Sequence, residues 1–296
     1  MSEIERINDV PMIPARRPDG HKGTFGHVLI VGGSQGMIGA VALATRAALR
    51  GGAGLVTFAA PRTIQQTVAA LVPCATSVPL SCDESGRIDA RAVREALNAA
   101  AVCDVLAVGP GMGQGLHQQN LVRAILEQDK PVVLDADGLN NLDKIDDWAA
   151  ARRCPLVLTP HPGEFARLTD KSVAKVQADR MASAIDAARF WMDVRALQAP
   201  PLALVLKGAG TVVTDGRRVY VNPSGNPGMA TGGTGDVLTG LIAALIGQGV
   251  PLFDAACLGA NVHGVAGDLA ANQLGQVSLI ASDLLDYLPN ALKQVS

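Results

Sequence analysis

Apolar residues recur along this chain in two alternating rhythms. Short runs at residues 27–31, 55–59, 104–108, 132–134, 156–158 and 202–206 have the length and aliphatic content of buried strands. Segments 38–49, 63–71 and 116–127 repeat apolar residues at helical spacing. A long amphipathic helix is predicted over 176–197: Met181, Ile185, Ala188 and Met192 share one stripe, and Lys175, Asp179, Arg180, Asp186 and Arg189 lie off it. Residues 211–214 and 219–221 read as two more strands turning at Asp215-Gly216, and from Thr234 the pattern is helical almost to the end. Strand, glycine turn and helix in repeated alternation predict an α/β protein with a mostly parallel sheet and helices on both faces. Ligands in such sheets bind beyond the carboxyl ends of the strands.

The 296 residues contain no Pro/Ser-rich linker, low-complexity tract or solenoid repeat. One domain over residues 21–296 is therefore expected, behind a loosely attached arm at residues 1–20 that carries prolines and charges. A hydrophobic share of 48% with aromatics at only 3% predicts a core packed by Ala, Val, Leu and Ile. A formal charge of −2 supplies no basic field, which argues against nucleic acid or an anionic membrane as a partner. The five cysteines, Cys74, Cys82, Cys103, Cys154 and Cys257, form no Cys-x-x-Cys pair, which argues against a disulfide framework or a structural zinc. With neither a secretory signal nor an apolar run of membrane-spanning length, the cytoplasm is the expected location.

The turn after the first apolar run, Gly33-Ser34-Gln35-Gly36-Met37-Ile38-Gly39, lacks the Gly-x-Gly-x-x-Gly spacing of a dinucleotide fold, and Thr57-Phe58-Ala59-Ala60 supplies no ribose-binding acid. Lys207 has no glycine loop before it, so there is no Walker A motif either. The strongest local signal lies later, in residues 222–236, where Thr231-Gly232-Gly233-Thr234-Gly235-Asp236 runs straight into an apolar helix. Glycines allow close backbone approach, and free N–H groups at a helix start attract phosphate oxygens. Asp236 in that first turn could simply cap the helix or complement its dipole. Capping does not account for the glycines, whereas a carboxylate beside a bound phosphate suits a general base that removes a proton from an attacking hydroxyl.

Lys207-Gly208-Ala209-Gly210-Thr211, at the end of an apolar strand, combines close backbone approach with one cation, as a nucleotide's ribose and phosphates require; the alternative is a surface lysine in a β-turn. In Thr159-Pro160-His161-Pro162-Gly163-Glu164, His161 can be an N-cap with Glu164 reaching back, and can also offer a donor or acceptor to a ligand. Asp135 and Asp137 follow the run at 132–134 and read either as water-mediated magnesium contacts or as an Asp-Gly turn, so neither is taken as a metal ligand.

Taken in order, Lys22-Gly23-Thr24-Phe25-Gly26, Gly39-Ala40, Ala53-Gly54-Leu55-Val56, Gly109-Pro110-Gly111, the segment from Thr159 to Phe165, the segment from Lys207 to Thr211 and residues 226–240 resemble the ribokinase-like NAD(P)H-hydrate dehydratases, over about residues 22–292. The resemblance implies a three-layer ribokinase-like fold and use of ADP or ATP, with Mg²⁺, to dehydrate the 6S hydrate of NADH or NADPH (NADHX or NADPHX). It implies that Lys207, Gly208, Ala209, Gly210, Thr211 and Gly235 hold the adenine nucleotide, and that Ala40, Gly109, Gly111, His161 and Asp236 face the damaged cofactor. It further implies a homo-oligomer, expected to be a tetramer. Many relatives carry a fused N-terminal epimerase domain, so an NAD(P)H-hydrate epimerase is expected here as a separate chain. The competing readings are a vitamin or sugar kinase of the same fold, which would keep its phosphorylated product, and a nucleotide-sensing protein without turnover.

Overall fold

The computed structural model describes residues 4–193 and 199–296. Its strands are β1 (Glu5–Ile7), β2 (His27–Val31), β3 (Leu55–Pro61), β4 (Thr76–Leu80), β5 (Val105–Val108), β6 (Val132–Leu134), β7 (Leu156–Leu158), β8 (Leu202–Leu206), β9 (Val212–Thr214) and β10 (Arg218–Val221). The α-helices are α1 (Ile38–Arg50), α2 (Arg62–Leu71), α3 (Ala90–Ala101), α4 (Leu116–Leu126), α5 (Asp137–Leu142), α6 (Trp148–Ala151), α7 (Pro162–Leu168), α8 (Val173–Ala178), α9 (Arg180–Asp193), α10 (Thr234–Gly247), α11 (Leu252–Leu274) and α12 (Ala281–Leu292). The strands form one sheet in the order β1-β10-β9-β8-β7-β6-β5-β2-β3-β4. From β4 across to β8 every pairing is parallel; β9 is antiparallel to both β8 and β10.

Side chains alternate across this sheet into two cores. Val28, Ile30, Ala107, Val133, Val157, Ala203 and Val205 face α1, α2, α10, α11 and α12, while Leu29, Leu106, Leu134, Leu158, Leu204 and Leu206 face α3, α4, α7 and α9. The strands are apolar on both sides because helices cover both sides. The smaller residues lie on the α10 face, and α10 is buried from Val237 to Ile246 with no polar stripe, as a helix enclosed between sheet and other helices must be. α1 crosses α10 so closely that a Cβ on Gly240 would stand 2.0 Å from the Ala44 carbonyl oxygen, and one on Gly51 2.9 Å from Ala244 Cβ.

Two expectations change. The helix predicted over 176–197 is two helices, because Asp179 leaves helical geometry (φ −150°, ψ 88°) and its carboxylate accepts from Ala182 N at 2.9 Å, starting α9 anew; residues 194–197 of that prediction lie outside the described residues. The N-terminal arm, expected to be loosely attached, is tied down. β1 adds to the sheet edge in parallel with β10, Ile13 N donates to Val295 O at 2.7 Å, and the Arg16 guanidinium stacks over Phe25 at 4.0 Å and reaches the Gly52 carbonyl. Composition reported the arm's polarity but not the unpaired edge of β10 that receives it.

The reversal of strand order at β2, which lies between β5 and β3, opens a crevice at the carboxyl edge. The turns after β2 and β5 interlock there: Gly33 N donates to Pro110 O at 2.8 Å, and a Cβ on Gly32 would stand 2.4 Å from the same oxygen. The α1–α10 crossing holds the start of α10 over this edge. Gly240→Ala should destabilise the fold by about 2–4 kcal/mol, because the clash is with backbone and no side chain can swing away. Denaturant titration measures this, and a loss below about 0.5 kcal/mol would show that the crossing is not close-packed.

Candidate active site

The segment leading into α10 is pinned along α11. Asn222 donates to Ala260 O at 3.0 Å, Ser224 Oγ to Asn261 O at 3.0 Å, and the Asp268 carboxylate accepts from Gly225 N (2.8 Å) and Asn226 Nδ2 (2.9 Å). Glycines on α11 make room, since a Cβ on Gly264 would lie 2.2 Å from Ser224 Oγ and one on Gly267 2.2 Å from Met229 Sδ. The chain then turns through Gly233 in the left-handed region (φ +95°), which serves as N-cap without a capping side chain. His263 Nε2 donates to Thr234 O at 2.8 Å; burial pushes its pKa down to about 4, so the ring is neutral.

Beneath this helix start lies a charged network. Asp135, 1% exposed, accepts on Oδ1 from Lys207 Nζ (2.6 Å) and Thr159 Oγ1 (2.8 Å), and on Oδ2 from Thr239 Oγ1 (2.8 Å). A Cβ on Gly235 would stand 3.1 Å from Lys207 Nζ, so the ammonium lies directly against the second residue of α10. Burial alone would lower the Lys207 pKa, but Asp135, Glu164 and the hydrogen bond outweigh it and the net direction is up. The Asp236 carboxylate takes part in no hydrogen bond or ion pair among the described residues. Burial first, and then the Asp135 charge, pushes its pKa up to about 7 against the opposing pull of Lys207. Such a carboxylate does not cap a helix; it can accept a proton near neutral pH.

A cavity of about 440 Å³ opens between the loop at 207–211 and the loop at 223–227, with Gly235 and His263 in its wall. Gly208 (φ +142°) and Gly210 (φ +62°) shape the first loop. Arg180 braces it from below, donating to Ala209 O (2.6 Å), Leu206 O (2.9 Å) and Lys207 O (3.0 Å). Next along the edge, Lys207 N donates to Pro160 O at 2.9 Å, which sets the ends of β7 and β8 side by side. There His161 caps α7: its Nδ1 accepts from Gly163 N at 3.0 Å, and the Glu164 carboxylate accepts from His161 N at 2.8 Å. Burial and the nearby Lys207 lower the His161 pKa, leaving its half-exposed ring neutral.

Further across, a Cβ on Gly109 (φ +124°) would stand 1.9 Å from Asp135 O, so only glycine fits. Gly111 (φ +61°) abuts Ala40, and a Cβ on it would stand 3.0 Å from the Ala40 Cβ. Lys207, Gly235 and Asp236 thus cluster around Asp135, with Gly109 behind it, His161 on one flank and the Ala40–Gly111 contact on the other. Four residues of this cluster carry no local sign in the sequence: Arg180, Thr239, His263, and Asp135 as partner of a lysine 72 positions away.

Residues 28–290 match the sequence model of the NAD(P)H-hydrate dehydratase family. The chain belongs to this family. It is 42% identical over 277 residues to an ADP-dependent (S)-NAD(P)H-hydrate dehydratase of Neisseria meningitidis, covering 92% of this chain and 84% of that one. It is 47% identical over 286 residues to a bifunctional NAD(P)H-hydrate repair enzyme of Moorella thermoacetica, covering 96% of this chain but 52% of the relative, so the chain spans about half the length of such bifunctional relatives. The crystal structure of an ADP/ATP-dependent NAD(P)H-hydrate dehydratase from Bacillus subtilis, co-crystallised with ATP and Mg²⁺, matches at TM-score 0.79 and 29% identity, covering 97% of this chain and 99% of that one. The family fold is the ribokinase-like three-layer arrangement of the sheet described above. No helix among the described residues is long and apolar enough to cross a membrane.

The raised pKa of Asp236 has a consequence for stability. Between the ordinary carboxylate range and about pH 7 the folded chain holds a proton that the unfolded chain has lost, so stability falls as pH rises through this window. Asp236→Asn carries no such proton. Its melting temperature should match the wild type near pH 4, rise above it by roughly 2–6 °C at pH 8, and stop diverging above that. Equal melting curves at all three pH values would show that burial imposes no cost on the ionised carboxylate.

Proposed function

We propose that this chain catalyses the ADP- or ATP-dependent dehydration of the 6S hydrate of NADH or NADPH, restoring the working cofactor. The observation that carries the reading is an unpaired carboxylate, Asp236, with its pKa pushed up to about 7, at the glycine-rich helix start that walls the 440 Å³ cavity. Lys207, Gly208, Ala209, Gly210, Thr211 and Gly235 hold the nucleotide in that cavity. Ala40, Gly109, Gly111 and His161 hold the hydrate with its C6 hydroxyl toward Asp236.

Hydroxide is a poor leaving group, and phosphate a good one. Asp236 accepts the C6 hydroxyl proton as that oxygen bonds to the terminal phosphorus, whose bond to the bridging oxygen of the nucleotide breaks. The ring nitrogen lone pair then expels phosphate from C6, and loss of the C5 proton restores the dihydronicotinamide. N–H groups at the start of α10 point toward the transferring oxygens and stabilise their charge. An NAD(P)H-hydrate epimerase would supply the 6S form from the hydrate epimeric at C6.

Among the described residues no group of three or more His, Cys, Asp or Glu is arranged to hold a metal. Asp135 is paired with Lys207, and the Asp137 carboxylate accepts from Gly113 N (2.9 Å) and Asn140 Nδ2 (3.1 Å). This donor set fits a magnesium ion held chiefly by nucleotide phosphates and water rather than a resident metal. Bound there, such an ion would supply neutralisation of the phosphate charge.

Recovery of NADH absorbance from its hydrate, with ADP, ATP or neither, tests the reading. Recovery should require a nucleotide; a phosphorylated product that accumulates without recovery would mark a kinase, and no phosphate transfer at all a sensor. Asp236→Asn should lower turnover about a hundredfold or more while nucleotide binding survives. In the wild type, kcat/KM should climb with pH through about 7 as Asp236 ionises. Lys207→Ala removes the charge that holds this pKa down, so the climb should move to higher pH, with a lower melting temperature because Asp135 is left buried without its cation. A pH profile unmoved by that change would remove Lys207 from the electrostatics of the base.

A further inference from the structure

Beyond the interlocked turns after β2 and β5 lies a second cavity, of about 390 Å³, walled by Ser34, Gln35, Ser85, Arg87, Gln114 and Gln118. Gln118 is 4% exposed as a residue, and its carboxamide, which opens onto this cavity, makes no hydrogen bond with any described residue. The amide thus presents a donor and an acceptor to whatever fills the cavity. Arg87 is held at the opposite wall by a braced turn: Asp83 N donates to Arg87 O at 2.8 Å, and the Asp83 carboxylate accepts from Arg87 N at 3.0 Å and Ser85 Oγ at 2.7 Å. The Arg87 guanidinium makes no hydrogen bond or ion pair among the described residues, although its charge acts on Asp83.

Contacts tile the path from the base to this cavity. A Cβ on Gly233 would stand 3.9 Å from Asp236 Oδ2 and 2.7 Å from Leu43 Cδ1. Leu43 lies one turn along α1 from Ala40, whose Cβ is 3.0 Å from the Cβ position of Gly111. Two residues on, the Cβ position of Gly113 is 3.8 Å from Gln118 Nε2. A dinucleotide with its nicotinamide ring at Asp236 and its phosphates over Ala40 and Gly111 would extend toward this cavity. Its volume suits one nucleoside unit.

We propose that this cavity is the subsite for the adenosine end of the dinucleotide hydrate, with Gln118 reading the adenine edge and Arg87 pairing with a ribose 2′-phosphate. This rests on the proposed function for the identity of the substrate. A carboxamide matches the donor and acceptor on the adenine edge. None of the nine residues that line the cavity is acidic, as a reader of a free ribose 2′-hydroxyl would be, whereas a guanidinium matches a phosphate. Arg87 is thereby a specificity-determining residue that favours NADPHX over NADHX.

The test compares the two hydrates in the wild type, Arg87→Ala and Gln118→Leu, alongside calorimetry with 2′,5′-ADP in the presence of saturating ADP, which fills the nucleotide cavity. Arg87→Ala should lower the ratio of kcat/KM for NADPHX to that for NADHX about tenfold, and Gln118→Leu should raise KM for both hydrates severalfold. In the wild type 2′,5′-ADP should bind; Arg87→Ala should abolish that binding. Arg87 is exposed and unpaired, so its variant should keep the wild-type melting temperature. An active wild type whose specificity ratio is unmoved by Arg87→Ala overturns the subsite and leaves the proposed function standing. A wild type that turns over neither hydrate overturns the proposed function, and the calorimetry then decides the subsite alone: absence of 2′,5′-ADP binding overturns it.

Discussion

The ion pair between Lys207 and Asp135 holds this site together. Lys207 follows β8 and Asp135 follows β6, and the hydroxyl of Thr159, which follows β7 between them, donates to the same carboxylate oxygen that receives the lysine. Thr239 reaches the other oxygen from the second turn of α10. Three adjacent strand ends and the helix above them are thereby fixed to one buried group. Such a pair contributes little net stability relative to an apolar replacement, since desolvation offsets most of the attraction. Its effect here is positional and electrostatic: it sets where α10 begins, and its two charges act on Asp236 in opposite directions.

That arrangement depends in turn on close packing below it. α10 can hold its first turn over the crevice only because Gly240 lets it settle against the backbone of α1, and because the strand face beneath carries alanine and valine where the opposite face carries leucine. The loop that delivers the chain to α10 lies flat on α11 for a similar reason, with Gly264 and Gly267 under Ser224 and Met229. Small residues at three contacts position one carboxylate.

The edge of the sheet also separates two cavities with different linings. The cavity beside Lys207 and Gly208 is lined by two glycine-containing loops, with Leu238 and His263 behind them. The cavity beyond the turns after β2 and β5 is walled by amide, hydroxyl and guanidinium side chains. Asp236 lies between them, on a helix start whose N–H groups are free.

The sequence by itself determined the alternation of strands and helices, the glycine turns at 109–111 and 231–235, and the candidacy of Asp236, because apolar period and turn chemistry are local properties that neighbouring residues encode. His161 was legible as an N-cap for the same reason. The attachment of the arm was not legible, since an edge strand is recruited by a partner more than 200 residues away. Nor was the break at Asp179, where one side chain's bond to the backbone overrides an uninterrupted apolar stripe. Only the tertiary structure decided that Lys207 meets Asp135, that Arg180 braces the loop at 207–211, and that Asp236 takes its pKa from burial. Each of these depends on which distant groups share a small volume from which water is excluded, and neither proximity nor desolvation is written in the spacing of residues along a chain.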